Sequence, residues 1–378
     1  MLQNPQLHYL DNAATTIVAP EVADVIDKAM REHWANPSSL YGPGARSEEA
    51  LNAARAAVAR TLGCKSRELY FTSCGSESNN LALLGAVQTR TFGKGIVVSG
   101  FEHPSVQRPL ERLAKQGYDV TVVAPRADGT LDIAAMLERV DKNTILVACM
   151  MVNNEVGTRN DVERLAAEVK RRNSRTIVHV DAVQAWMRVP IKLANIDTLA
   201  VSGHKIHAPK GIGALYVKKG LRLPPLTFGG GQEKGMRPGT EAVPNIAAFA
   251  KACEIRMAHF DEDYAHVQEL ADYLKQQVSA ELPDAVINGE GDIPDVVNLS
   301  MPGCKSEVML HVLEGDEVYI SSGSACSKGK QSGVLKALGL PKTRTDSALR
   351  VSFAPFNTRE DVDAFIAAVK KGVKMFRR

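Results

Sequence analysis

The sequence predicts an α/β protein, with a mostly parallel sheet covered by helices on both faces and followed by a smaller α+β unit. Three observations lead there. Short, β-branched apolar runs alternate with helical stretches as far as Val217, the order expected of parallel strands joined by helical crossovers. A long helical stretch then runs from about Ala247 toward Leu282 and reads as a connection between two units. Beyond it the chain returns to short apolar runs and closes on a helix.

Taken in order, helical periodicity covers Pro20 to Arg31 and Ser47 to Leu62, with Pro20 suited to a first helical turn. Glu68 to Thr72 reads as a short strand, and after a polar turn a helix runs from about Ser76 to Arg90. Gly95 to Ser99, Val120 to Val123, Thr144 to Met151, Thr176 to Val180, Thr198 to Val201 and Ile212 to Val217 are further strand-like runs. The segments Val296 to Leu299, His311 to Leu313 and Leu349 to Ser352, with a final helix, read as the smaller α+β unit. No internal repeat interrupts the pattern.

A chain of 378 residues is long enough for two domains, and 44% hydrophobic with 24% charged residues is ordinary for a globular enzyme. The net charge of +3 gives no strong footprint for nucleic acid. The basic run Lys370, Lys371, Lys374, Arg377, Arg378 reads as a solvated helix end. Met1 to Tyr9 lacks the charged and apolar regions of a signal peptide. No apolar run reaches the ~18 residues of a membrane span; the longest, Ile145 to Val152, has strand length. Six cysteines without CxxC pairs support neither a disulfide framework nor a metal site. The expectation is a cytoplasmic protein with no membrane or direct nucleic-acid partner.

Ligands of open α/β sheets sit beyond the carboxyl ends of the strands. The candidates are therefore Ser73-Cys74-Gly75-Ser76, Phe101-Glu102-His103, Asn153-Asn154-Glu155, Asp181-Ala182-Val183-Gln184 and Ser202-Gly203-His204-Lys205. Lys205 lies between two apolar runs, where partial desolvation lowers an amine's pKa and frees it for Schiff-base chemistry. On these grounds Lys210 competes with it. Asp181 ends a buried strand and needs a partner; a protonated pyridine nitrogen is one, the start of the next helix another. Gly75 and Ser76 open a helix directly after a strand, a ready anion site, although an ordinary cap also explains Ser76. Gly229-Gly230-Gly231 neither completes a dinucleotide-binding GxGxxG nor follows the first strand.

Five stretches carry a resemblance. They are Tyr9-Leu10-Asp11-Asn12-Ala13-Ala14-Thr15-Thr16; Val152-Asn153-Asn154-Glu155-Val156-Gly157; Ser202 to Ile206 with Pro209 to Tyr216; Gly229 to Arg237; and Ser321-Ser322-Gly323-Ser324-Ala325-Cys326. The chain resembles the NifS/IscS-type cysteine desulfurases from about residue 9 to its last helix. The resemblance implies a fold-type-I, aspartate-aminotransferase-like homodimer with a mostly parallel seven-stranded sheet. A large domain over residues 15–250 would bind pyridoxal 5'-phosphate, and a small domain of residues 1–14 and 251–378 would carry the cysteine loop.

By motif position, Lys205 would hold the cofactor, Asp181 would face its ring nitrogen and His103 would stack on the ring. Gln184 would bond the phenolic oxygen and Asn154 would lie beside the ring. Gly75, Ser76, Ser202 and His204 would hold the phosphate, with Thr240 supplied by the other subunit. Arg350 would clamp the substrate carboxylate, a task suited to a guanidinium fork, and Asn36 would border the substrate. The implied activity converts L-cysteine to L-alanine and leaves the sulfur as a persulfide on Cys326, with Lys205, Cys326 and His103 catalytic. A sulfur-acceptor protein, either an iron–sulfur scaffold or a thiolation enzyme, would then take it. Selenocysteine lyase, or another lyase or aminotransferase of the same fold, is the alternative, and a non-catalytic scaffold a rival of another class.

Cys326 follows a run of glycine and serine and precedes Ser327, Lys328, Gly329 and Lys330. That composition predicts an exposed loop whose lysines favour the thiolate. Two departures from the family stand out. Cys74 replaces the glycine many relatives have in the phosphate loop, and the segment from Cys326 to Val334 is short. At ~3.5 Å per extended residue such a loop carries its sulfur at most ~10–15 Å from its anchors. An acceptor must come close, and Lys328, Lys330, Lys342 and Arg344 would steer an acidic one.

Overall fold

A computed structural model describes residues 7–289, 291–322 and 332–376. Its elements run β1 (His8–Tyr9), α1 (Pro20–Glu32), α2 (Gly42–Leu62), β2 (Leu69–Thr72), α3 (Gly75–Thr89), β3 (Gly95–Ser99), α4 (Pro104–Lys115) and β4 (Asp119–Val123). They continue with α5 (Ile133–Glu138), β5 (Thr144–Met150), α6 (Val162–Arg172), β6 (Ile177–Asp181), β7 (Thr198–Ser202), β8 (Gly213–Val217), α7 (Val243–Ala258) and α8 (Phe260–Glu281). The last third holds β9 (Val286–Asn288), β10 (Val296–Ser300), α9 (Ser306–Glu314), β11 (Val318–Tyr319), α10 (Gly333–Ala337), α11 (Lys342–Thr345), β12 (Ala348–Ser352) and α12 (Arg359–Phe376).

Seven strands form one sheet in the order β2-β8-β7-β6-β5-β3-β4. β8 runs against both its neighbours, β7 and β2, and the remaining pairs are parallel. The central strands β5, β6, β7 and β8 are buried at every residue, as helices on both faces of a parallel sheet require. That is why they read as continuous apolar runs rather than alternating ones. One face packs against α1, α2, α6 and α7, the other against α3 and α4.

A second core joins Leu10, α8, β10, β12, α9 and α12. It contains the antiparallel sheet β12-β10-β9 and the parallel pair β1-β11. The segment before α1 therefore belongs partly with the chain's far end.

One sequence expectation is revised. The long helix expected from Ala247 to Leu282 is two helices that meet at His259. Arg256 ends α7, while Asp261, Glu262 and Asp263 begin α8. Each charge set suits the dipole of its own helix end, and Arg256 bridges the break to Asp263 at 2.5 Å. α7 packs into the large core and α8 into the small one, so the cores divide at His259, beyond residue 250. The run His311 to Leu313, read as part of the smaller α+β unit, lies inside helix α9.

Candidate active site

The loops after β2, β3, β5, β6 and β7 all open at the carboxyl ends of their strands. They meet around one cavity of roughly 210 Å³. Gly75, Ser76, His103, Asn154, Asp181, Gln184, Ser202, His204, Lys205 and Arg350 line it, joined by Ala13 and Ala14. Ten sequence candidates thus reach one place.

At one end of the cavity α3 begins. Cys74 is extended and offers no side-chain cap, and the first helical bond is from the Ser78 N–H to the Cys74 carbonyl. The preceding amides have no acceptor within the helix. Gly75 cannot be larger, because a Cβ there would lie 2.6 Å from Val183 Cγ2. Opposite, Ser202 is buried and its Oγ has no partner among the described residues. His204 contacts Thr15 Oγ1 at 3.2 Å, and burial first, then the Lys205 charge, lowers its pKa to about 3. Free amides, an unpaired hydroxyl and a neutral imidazole make a site for a phosphate.

Lys205 ends the short turn after β7 and donates from Nζ to the carbonyls of Ala13 and Ala14, at 2.5 and 2.8 Å. Lys210 is exposed and does not line the cavity. The structure therefore favours Lys205 of the two amines that the sequence left in competition.

Asp181, 4% exposed, accepts Asn79 Nδ2 at 2.7 Å and the Val183 N–H at 3.0 Å. The other proton of that Asn79 amide goes to Ser105 Oγ at 2.8 Å. Behind them His179 Nε2 meets Asn79 Oδ1 at 3.0 Å and Nδ1 meets Thr198 Oγ1 at 2.9 Å. Burial lowers the His179 pKa to about 3, so the relay is neutral at its base. The carboxylate is held firmly at the cavity wall.

His103 caps α4, its Nδ1 accepting the Ser105 N–H at 3.1 Å and meeting Ser105 Oγ at 2.8 Å. A backbone N–H can only donate, so the neutral ring carries its proton on Nε2. Burial lowers the His103 pKa; Asp181 opposes this and Lys205 adds to it. The ring is thus a donor at Nε2.

Arg350 is 1% exposed. It donates from Nη2 to Asp11 Oδ1 at 2.7 Å and from Nη1 to the Asn154 carbonyl at 2.9 Å, while Nε is buried without a partner among the described residues. Burial raises the Asp11 pKa, against the pull of Arg350 and Lys205. Gln184 donates from Nε2 to the Ala13 carbonyl at 2.8 Å, and its Oε1 accepts from Arg188. Arg188 has donors only, so the amide is oriented with its NH2 group away from Arg188.

Two candidates lie elsewhere. Thr240 is exposed and absent from the cavity of its own chain, and exposed Asn36 accepts the Ser38 N–H at 2.9 Å. Cys326, with Lys328 and Lys330, lies outside the described residues. Cys74 does line the cavity. Sequence reasoning missed Asn79, Ser105 and Asp11 as supports. Ser78-Asn79 is a polar pair on the buried face of α3, and a buried polar pair in an apolar stripe was the available signal.

These residues fit pyridoxal phosphate. The unpaired Ser202 hydroxyl and the α3 amides suit its phosphate, Asp181 its ring nitrogen, and Lys205 its aldehyde. Among the described residues no group of His, Cys, Asp and Glu could hold a metal, and no helix is long and apolar enough to cross a membrane.

Comparison with known proteins agrees. The model of the family "Aminotransferase class-V" matches residues 8–365. The chain is 39% identical over 375 residues to a cysteine desulfurase of Trichormus azollae, covering 98% of this chain and 93% of that one. A solved NifS-like protein superposes with a TM-score of 0.92 at 33% identity, covering 97% of this chain and 99% of the other. SspA, solved in complex with cysteine, gives 0.82 at 31% identity over 93% of this chain and 99% of its own.

Proposed function

We propose a division of labour for this pocket from one premise: the chain belongs to the class-V aminotransferase family and is a pyridoxal-phosphate-dependent cysteine desulfurase. Relatives bear the desulfurase name, and the alternative of selenocysteine lyase or transamination is not favoured. The observation that carries the reading is the convergence of the Lys205 amine, Asp181 carboxylate and Arg350 guanidinium on one cavity.

When bound, the cofactor supplies an electron sink for charge left on the substrate's α-carbon. Asp181 keeps the ring nitrogen protonated, and the Asn79 bond holds that carboxylate in place. Arg350 takes the substrate carboxylate, and its Nε, without a partner among the described residues, is one of the donors available. Lys205 would hold the cofactor through its aldehyde, and once free its Nζ would take the α-proton. His103 donates from Nε2 as the carbon–sulfur bond breaks.

Cys326 thiolate attacks the substrate sulfur, so one S–S bond forms as one C–S bond breaks. The electron pair of the broken bond takes a proton at the former Cβ, Lys205 Nζ returns a proton to the α-carbon, and L-alanine and a persulfide result. The balance closes without an outside oxidant or reductant.

The persulfide then passes to a cysteine of an acceptor protein, an iron–sulfur scaffold or a thiolation enzyme, in the cytoplasm. Of the four basic residues expected to steer it, Arg344 is half-buried and bonded to Asn288 and the Ile287 carbonyl. We read the working unit as a homodimer: Trp34, Leu40, Tyr41 and Phe228 are exposed apolar side chains, and Thr240 is free to reach a neighbour's phosphate.

The test is Cys326→Ala in the cofactor-loaded enzyme. It should still bind L-cysteine, seen as a change in visible absorbance, yet form no persulfide. Alanine release at near wild-type rate would sink the proposal.

A further inference from the structure

Glu155 is a buried carboxylate that no step above uses. It is 3% exposed, and its Oε2 accepts the hydroxyl proton of Ser332. Ser332 in turn caps α10, its Oγ accepting the Leu335 N–H at 3.0 Å. The Glu155 backbone is fixed independently. Asn153 Oδ1 accepts the Glu155 and Val156 N–H groups at 2.8 and 3.1 Å, and Asn298 Nδ2 donates to the Glu155 carbonyl at 3.0 Å. Leaving such a carboxylate without a donor is costly, so Ser332 is held where Glu155 needs it.

The other end of this segment is tied to the substrate site too. Arg350 and Ser321 exchange backbone bonds, the Arg350 N–H reaching the Ser321 carbonyl at 2.6 Å and the Ser321 N–H the Arg350 carbonyl at 3.2 Å. The chain thus departs beside Arg350 and returns beside Glu155, the neighbour of Asn154, whose carbonyl takes Arg350 Nη1. Cys326 lies between these two points in sequence.

We propose that Glu155 is a positioning residue for sulfur transfer, holding Ser332 so that the segment bearing Cys326 is registered on the group that binds the substrate carboxylate. This rests on the roles given above to Cys326 and Arg350. Without the Glu155 bond Ser332 loses the partner that fixes it, and the effective concentration of the thiol at the substrate sulfur should fall. The side-chain bonds of Lys205, Asp181 and Arg350 given above do not involve Ser332, so ring chemistry and substrate binding should persist without that anchor.

The experiment uses cofactor-loaded enzyme and two readouts: affinity for L-alanine from the visible absorbance, and the single-turnover rate of persulfide formation from L-cysteine. Glu155→Ala should leave the L-alanine affinity unchanged and slow persulfide formation on the order of 10- to 100-fold. Glu155→Gln keeps an acceptor for Ser332 and should restore most of the rate. Ser332→Ala should repeat the Glu155→Ala loss, and the double variant should be no slower than either single one. A parallel loss of L-alanine affinity, an unchanged persulfide rate, or additive losses in the double variant would each overturn the proposal. Cys326→Ala runs as the control. Persulfide formed in its absence would overturn the underlying reading, whatever the Glu155 variants do.

Discussion

Glu102 offers a quantitative test of how the cavity wall is built. It is 2% exposed, Oε1 accepts the Met150 N–H at 2.7 Å and the Ser99 hydroxyl, and Oε2 is buried with no partner among the described residues. Burial pushes its pKa from 4.5 up to about 8; the Asp181 charge adds to this, and the Ser99 and Met150 bonds oppose it. The folded state therefore keeps a proton that the unfolded chain loses. Stability from this group is fully present below pH 4.5 and is lost as pH rises toward about 8. At ~1.4 kcal/mol per pH unit, the loss across that window is about 5 kcal/mol.

Glu102→Gln removes the titration and keeps the shape. The protonated carboxyl places one O–H at Oε2 and the amide two N–H groups, so the variant leaves one further donor unpaired, at a constant cost of about 1–3 kcal/mol. Wild type should thus be the more stable near pH 5 and the variant near pH 9, with the curves crossing between. The assay is denaturant unfolding of the cofactor-loaded protein at pH 5, 7 and 9, taking the difference between the two proteins at each pH. Parallel profiles would mean that Glu102 is already ionised in the fold, and the reasoning would fail.

Four further outcomes follow from the same geometry. Ser202→Ala should weaken cofactor binding about 10- to 100-fold, the worth of one bond to a charged group, without lowering the stability of the cofactor-free protein; unchanged affinity in an absorbance titration would remove Ser202 from the phosphate site. Borohydride reduction and peptide mass spectrometry should place the cofactor on Lys205, and a label on Lys210 would contradict the assignment. Cys74→Ser should cost little activity, whereas a loss above ~10², about 2.7 kcal/mol in the barrier, would make Cys74 a catalytic thiol. Light scattering should find a dimer that weakens when the cofactor is removed, and a monomer with bound cofactor would refute the reading of Thr240.

Much of this site was legible in one dimension because the fold gathers it locally. Each sheet strand ends in a few residues that must face the ligand edge, so Ser202 to Lys205 and Asp181 to Gln184 could be read as site segments before any contact was known. The buried strands announced themselves by continuous β-branched runs, and the motifs from Asp11 to Cys326 supplied the chemistry. Local pattern failed where helix signals run on. Nothing in the periodicity of residues 247–282 marks His259, where the chain changes from one core to the other.

Tertiary structure alone decided the partners. Asn79 reaches Asp181 across 102 positions, Arg350 reaches Asp11 across 339, and Ser332 reaches Glu155 across 177. It also separated Lys205 from Lys210, five positions apart in sequence, by turning one into the cavity and the other to solvent. Periodicity reports which face of its own element a side chain takes. The register of the sheet and the return of the chain's end over Leu10 determine what that face meets. The same burial that makes these pairs invisible in sequence raises the pKa of Glu102 and Glu155 and lowers that of His103 and His179, because the cost of a charge depends on the surroundings that only folding assembles.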